Sequence, residues 1–300
     1  MRAREPIVNG LGRTAAWLTA GAAAGSGALA AITSFKLNGT MPPPPYTFTP
    51  FEVRAESEDV AFMADDGVPL SGWWLDQADS PIVVICCHGH RGNKADMLGI
   101  GSGLWRAGHS VLLFDFRGSG DSGAGEQSLA YYEQRDVRAA VGLVRERRPD
   151  AKIALVAFSM GAATAIMAAG EDPRIDALVA DSSFATMSGV VATAYRRFHV
   201  PGTPFVTIAD LVNRVWHGYS FGDVRPVDRI GHIAPRPLLL LHGTEDKIIP
   251  YAHVEQLAAA AGPGAAEVVT FEGAEHCGGY FQDRPAYIAL VDDFLRRSLA

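Results

Sequence analysis

Ile153-Ala154-Leu155-Val156-Ala157-Phe158-Ser159-Met160-Gly161-Ala162-Ala163 reads as a buried strand, a sharp turn and a run of small residues opening a helix. A turn of that kind pushes a serine hydroxyl beyond the end of a sheet, and small neighbours are needed because backbones approach closely there. Around the serine the sequence is Ala-Phe-Ser-Met-Gly, so alanine replaces the first glycine of the G-x-S-x-G pattern and adds one methyl group. A plain helix N-cap serine needs only the helix that follows it. Here a continuous apolar strand precedes it as well, and Ser159 is read as a nucleophile.

Outward from this turn the chain alternates short apolar runs with helical patterns. Candidate strands are Ile82 to Cys87, Val111 to Phe116, Ile153 to Phe158, Ala177 to Ala180, Pro237 to Leu241 and Val268 to Phe271. Unbroken apolar strands suit a mainly parallel sheet covered on both faces. Tyr131 to Arg147, Gly161 to Ala169, Tyr251 to Ala261 and Pro285 to Ser298 read as helices. Asp59 to Trp74, turning at Asp66-Gly67, reads as an antiparallel hairpin leading into the sheet. The stretch 186–229 breaks the rhythm with Tyr195, Phe198, Phe205, Trp216, Tyr219 and Phe221 among several Gly and Pro residues. It reads as a cap insertion whose rings either contact an apolar substrate or pack the insertion onto the body.

A serine hydroxyl needs a base within hydrogen-bond reach, itself oriented by a carboxylate. His242-Gly243-Thr244-Glu245-Asp246 follows one strand and Gly273-Ala274-Glu275-His276 follows the next. In a parallel sheet such strand ends share the edge where Ser159 emerges. Asp181 also follows a strand and competes with Asp246 as the acid. His88 and His242, at strand ends before Gly, are read as loop-ordering residues, none of His88, His242 and His253 as the base, and Cys277, which has no elbow, as a packing residue.

With His88-Gly89-His90-Arg91-Gly92-Asn93, Asp115-Phe116-Arg117-Gly118-Ser119-Gly120-Asp121-Ser122, the serine turn, His242 to Asp246 and Glu275-His276 in this order, the chain resembles the α/β-hydrolase family over nearly all of Phe51 to Ala300. The esterase, lipase and serine aminopeptidase-like branch is the nearest in pattern. The resemblance implies an α/β-hydrolase fold and a triad of Ser159, Asp246 and His276. It also implies an oxyanion hole from the backbone N–H groups of Met160 and His90, although His90 stands where the family more often has a small residue. Cleavage of a small ester or acyl substrate is the expected activity. Amide or peptide hydrolysis on the same fold, and a non-catalytic binding protein, are the alternatives.

The composition is that of a folded chain of 300 residues, 48% hydrophobic and 20% charged, with a formal charge of −7. That charge argues against a nucleic-acid partner, which needs clustered Lys and Arg. Arg2, Arg4 and Arg13 precede an uncharged Ala- and Gly-rich run from Thr14 to Phe35, and Pro42 to Pro45 follow as an extended spacer. Residues 1–50 therefore read as a leader and 51–300 as the catalytic domain. Three readings of the leader compete: a transmembrane anchor, a signal peptide cleaved near Ala28-Leu29-Ala30, and a soluble helix. The first two place the domain outside the cytoplasm, membrane-anchored or secreted; the third leaves it cytoplasmic.

No cofactor or metal is expected. Gly118-Ser119-Gly120-Asp121-Ser122-Gly123 and Gly25-Ser26-Gly27-Ala28-Leu29-Ala30 match the glycine spacing of a dinucleotide fingerprint. Asp115, Asp121 and Glu126 would repel a pyrophosphate at the first, and no strand precedes the second. The three cysteines, Cys86, Cys87 and Cys277, have no metal or redox spacing. Cys86 and Cys87 on one strand are expected to face opposite sides of the sheet.

Overall fold

The computed structural model describes residues 27–38, 46, 48–197, 199–200 and 202–299. Its frame is an eight-stranded sheet in the order β1-β2-β4-β3-β5-β6-β7-β8. The strands are β1 (Glu58–Met63), β2 (Pro69–Leu75), β3 (Ile82–Cys87), β4 (Ser110–Phe114), β5 (Lys152–Phe158), β6 (Ala177–Asp181), β7 (Leu238–Gly243) and β8 (Glu267–Phe271). Antiparallel pairing is confined to β1 with β2 and β2 with β4; β4, β3, β5, β6, β7 and β8 run parallel.

Parallel strands need crossovers, and the helices supply them on both faces. We number them α1 (27–38), α2 (Leu98–Arg106), α3 (Glu133–Arg147), α4 (Met160–Glu171), α5 (Met187–Arg197), α6 (Gly202–His217), α7 (Ala252–Ala261), α8 (Gly279–Gln282) and α9 (Arg284–Leu299). Side chains alternate along each strand, so the core falls into two layers. Val83, Ile85, Cys87, Ile153 and Leu155 pack with α3, α4 and α7. Ile82, Val84, Cys86, Ala154 and Val156 pack with α2 and α9. Cys86 and Cys87 thus face opposite layers, as expected; burial pushes the Cys86 thiol up to about 12 and also raises that of Cys87 well above its ordinary value.

Helix α2 is absent from the sequence reading because Gly99, Gly101 and Gly103 give it poor helix propensity. Packing explains the glycines. A Cβ at Gly101 would lie 2.9 Å from the Leu113 side chain, and one at Gly103 would lie 2.8 Å from that of Ile288. These positions let α2 sit close against β4 and α9.

The leader is described only in part. No helix among the described residues is long and apolar enough to cross a membrane. Of the Thr14 to Phe35 run, residues 14–26 lie outside the described residues, as does the Pro42 to Pro45 spacer; the rest folds into α1, which lies on the body. Polar contacts hold α1 there. Ser34 and Asn38 on α1 are buried, and both donate to Asn213 Oδ1 of α6, at 3.2 and 2.6 Å. The Asn213 amide in turn donates to the Tyr219 carbonyl at 2.8 Å, and the Tyr219 hydroxyl donates to Asn38 Oδ1 at 2.6 Å. A buried polar cluster with every member paired fixes one docking geometry.

Most of the aromatic insertion packs rather than lining open space. Tyr219 and Phe221 are buried, and Tyr219 stacks on Tyr131 with ring centroids 4.7 Å apart. Trp216 is 58% exposed and Phe198 lies outside the described residues.

Behind this layer, Glu133 at the start of α3 is fully buried and accepts from the Ser128 amide and hydroxyl, both at 2.6 Å. Burial pushes its carboxyl up from 4.5 to about 7, against the lowering effect of those hydrogen bonds. The folded protein holds this proton more tightly than the unfolded chain, so the stability it supplies is complete below the ordinary glutamate range and is lost as pH rises through about 7. The size is about 3 kcal/mol. Urea unfolding at about pH 5 and pH 8 should show the wild type losing stability on that scale, and Glu133→Gln losing markedly less. Equal losses in both proteins would refute the assignment.

Candidate active site

Ser159 stands between β5 and α4 with φ 53° and ψ −118°, a conformation that L residues rarely adopt. Two contacts impose it. The Ser159 amide donates to the Asp181 carbonyl at 2.9 Å, which ties the turn to the end of β6. Under the turn, a Cβ on Gly161 would lie 2.4 Å from the His88 carbonyl oxygen and 2.5 Å from that of Cys87, so only glycine lets α4 start this close to the end of β3.

The loops after β7 and β8 bring the other two side chains to the same edge. They are locked together by Glu245 N–H donating to the Ala274 carbonyl at 2.9 Å and Thr244 N–H to that of Phe271 at 3.1 Å. Asp246, with a fully buried side chain, accepts at Oδ1 from the amides of Ile248 and Ile249, both at 2.8 Å. Its Oδ2 lies 2.6 Å from His276 Nδ1, and His276 Nε2 lies 2.8 Å from Ser159 Oγ. A buried carboxylate bound by two amides accepts, so Nδ1 carries the proton and Nε2 faces the hydroxyl with its lone pair.

Met160 opens α4, where backbone amides have no intrahelical acceptor. Gly89 lies against Ser159: a Cβ built on it would be 3.5 Å from the Ser159 Cβ. The next residue, His90, turns its ring away toward α1, where Nε2 donates to the Leu37 carbonyl at 3.1 Å. Arg91 donates from Nη2 to the Lys36 carbonyl at 2.5 Å. The unpaired carbonyls at the end of α1 are thereby capped by the loop that follows β3. Burial holds the His90 imidazole down at about 4, so it is neutral at neutral pH.

Residues 82–204 match the family model described as alpha/beta hydrolase fold, and residues 210–299 match one described as TAP-like protein. The uncharacterized protein YqkD of Bacillus subtilis is 30% identical over 252 residues, which span 82% of this chain and 82% of that protein. The chain belongs to the α/β-hydrolase family. This α/β-hydrolase is also 26% identical over 254 residues to protein bem46 of Schizosaccharomyces pombe, covering 82% of this chain and 79% of that one. It is similar in structure to the Pyrococcus furiosus esterase Pf2001, with a TM-score of 0.73 and 27% identity, covering 87% of this chain and 99% of the esterase.

Other candidates in this α/β-hydrolase occupy different positions. Asp181 is buried and accepts from the Ser182 hydroxyl and the Tyr287 hydroxyl, both at 2.9 Å. Ser182 Oγ in turn accepts from the Cys277 amide at 3.0 Å. Asp181 therefore braces the backbone beside His276, and burial raises its carboxyl above the usual range. The Cys277 thiol is also driven up, by burial first and then by Asp181. His88 accepts from the Phe116 amide at 3.0 Å, and His253 accepts from that of Ala185 at 3.1 Å. His242 reaches the Ile249 carbonyl at 2.8 Å, on the loop that carries Asp246.

The glycine loop after β4 wraps a carboxylate instead of a pyrophosphate. A Cβ on Gly120, at φ +48°, would fall 2.2 Å from Asp115 Oδ2, the oxygen that binds Lys94 Nζ at 2.9 Å and the Tyr46 hydroxyl at 2.6 Å. No cluster of His, Cys, Asp and Glu able to hold a metal occurs among the described residues. The contacts of His90 and Arg91 with α1 carried no sequence signal, because they end on backbone carbonyls that any residue supplies.

The tight fit at Gly161 has a measurable consequence. Gly161→Ala should lower stability by about 2 kcal/mol or more, since the intruding methyl meets backbone that cannot rotate aside. Thermal unfolding measures the loss. An unchanged melting temperature would show that the turn has slack.

Proposed function

We propose that this chain is a serine hydrolase that cleaves carboxylic esters, with Ser159 as nucleophile, His276 as general base and Asp246 as the residue that orients the base. The observation that carries the reading is the unbroken path from Asp246 Oδ2 to His276 Nδ1 at 2.6 Å and from His276 Nε2 to Ser159 Oγ at 2.8 Å. As Ser159 Oγ bonds to the carbonyl carbon, its proton passes to His276 Nε2 and the Asp246 carboxylate stabilises the imidazolium. Negative charge gathers on the former carbonyl oxygen, and the amides of Met160 and His90 are the donors assigned to it, worth roughly 3–4 kcal/mol each in a site that excludes water. The C–O bond to the alcohol breaks as His276 returns the proton to the leaving oxygen. Water then attacks the acyl-serine through the same base and restores the hydroxyl.

An ester leaving group is favoured over a peptide by the similarity to the Pyrococcus furiosus esterase.

Ser159→Ala should abolish covalent labelling by a fluorophosphonate while circular dichroism and melting temperature stay near wild type. Labelling that persists at full extent places the nucleophile elsewhere. Asp246→Asn should keep the serine but lower kcat for a p-nitrophenyl ester by about 10³- to 10⁴-fold, because an amide in that place favours the wrong imidazole tautomer. A loss below about tenfold would remove Asp246 from the mechanism.

A further inference from the structure

The amide assigned as the second oxyanion donor belongs to the peptide unit that joins Gly89 to His90, and one end of that unit is held from within its own loop. His88 accepts at Nε2 from the Phe116 amide at 3.0 Å, so its ring proton sits on Nδ1 and is donated to the Gly89 carbonyl at 2.8 Å. The Gly92 amide donates to the same carbonyl at 3.1 Å. A trans peptide is planar, with its N–H and C=O pointing in opposite directions, so holding the Gly89 carbonyl sets the sense in which the His90 N–H points. The far end of the unit, the Cα of His90, must be placed by something else. Arg91, next along, has φ 60°, a conformation that residues other than glycine rarely hold unless contacts impose it.

Helix α1 supplies those contacts. The His90 ring meets the Leu37 carbonyl at 3.1 Å, and because a carbonyl only accepts, Nε2 carries the ring proton. Arg91 Nη2 donates to the Lys36 carbonyl at 2.5 Å, which puts a cation at the negative end of the helix. The helix is in turn anchored on its other sides: Thr33 Oγ1 accepts from the Tyr195 hydroxyl of α5 at 2.8 Å, and Ser34 and Asn38 donate to Asn213 of α6. A loop tied to α1 is therefore tied to the cap as well.

We infer that His90 is a positioning residue for catalysis: its ring, held by the C-terminal end of α1, aims its own backbone N–H at the oxyanion, so that turnover depends on a helix from the segment preceding the hydrolase body. The inference rests on the serine hydrolase reading and on the two donors named there, and it adds the task of the ring. An ester carbonyl carries little charge before attack and a full charge after it, so the aim of the donor matters chiefly in the transition state. Its loss falls on kcat and spares KM. Removing an oxyanion donor outright lowers kcat by about 10²- to 10³-fold, and a donor that stays but swings out of line forfeits part of that, about tenfold or more.

The test uses the full chain, a p-nitrophenyl ester as substrate and an alkyl trifluoromethyl ketone as inhibitor. Ser159 Oγ bonds to the ketone carbon, its proton passes to His276, and the carbonyl π pair becomes the alkoxide that the two amides hold. His90→Ala should lower kcat about tenfold or more, weaken ketone binding by a similar factor and leave KM within about twofold of wild type. His90→Gln, whose side-chain amide can donate to the Leu37 carbonyl, should restore most of both losses. Asn213→Ala frees α1 from the opposite side and should also lower kcat, and adding it to His90→Ala should cost no more than His90→Ala alone, since both act through one contact. A kcat within about twofold of wild type in His90→Ala, an equal loss in His90→Gln, or full additivity in the double variant overturns the positioning role while leaving the hydrolase reading intact. A wild type that neither turns over the ester nor is labelled by a fluorophosphonate overturns that reading and this inference with it.

Discussion

The arrangement depends on one constrained turn. At Ser159 a non-glycine residue holds φ 53° at the end of a buried strand, a conformation costing roughly 1–3 kcal/mol that persists only where the surroundings over-determine it. Here they do so from two sides, through the amide bond to the Asp181 carbonyl and the close passage of Gly161 under the carbonyls of Cys87 and His88. The strand order then does the rest. With β5, β6, β7 and β8 adjacent and parallel, every loop leaving their C-terminal ends falls within reach of that hydroxyl.

The sheet was legible in the sequence because its strands are buried on both faces, and such strands read as unbroken apolar runs. The runs at Ile82, Ile153 and Ala177 became β3, β5 and β6 within a residue or so of their expected ends. The hairpin at Asp66-Gly67 was legible for a different reason, the φ of +83° at Gly67 that glycine tolerates. Helix α2 was hidden, since its three glycines answer to neighbours far along the chain and local propensity points the other way. The positions of Ser159, Asp246 and His276 could be anticipated because each stands just beyond a strand. What could not be anticipated was the bracing behind them, where Asp181, Ser182 and Tyr287 act through contacts between distant segments.

The docking of α1 was hidden for a similar reason. Length and lack of charge describe the run from Thr14 to Phe35, whereas the residues that seat α1 are Ser34, near the end of that run, and Asn38, beyond it. Their side chains find partners on α6, and a buried polar side chain is stable only where such partners exist. Of the rings in the stretch 186–229, Tyr195, Tyr219 and Phe221 are buried, and Tyr219 stacks on Tyr131 of the body.

The docking of α1 also bears on proteolytic maturation. Ala30, at the end of the small-residue triplet a signal peptidase would favour, is 1% exposed and sits within the helix, one residue after Leu29. A protease needs an extended, accessible backbone of several residues, and the folded protein offers none at that bond. Cutting there would require either a nascent chain or the prior release of the whole helix from Asn213. A trimmed product would keep the polar fasteners at Ser34 and Asn38 while losing Leu29, which packs against the core, so the maturation state of the N-terminus and the seating of α1 are physically coupled.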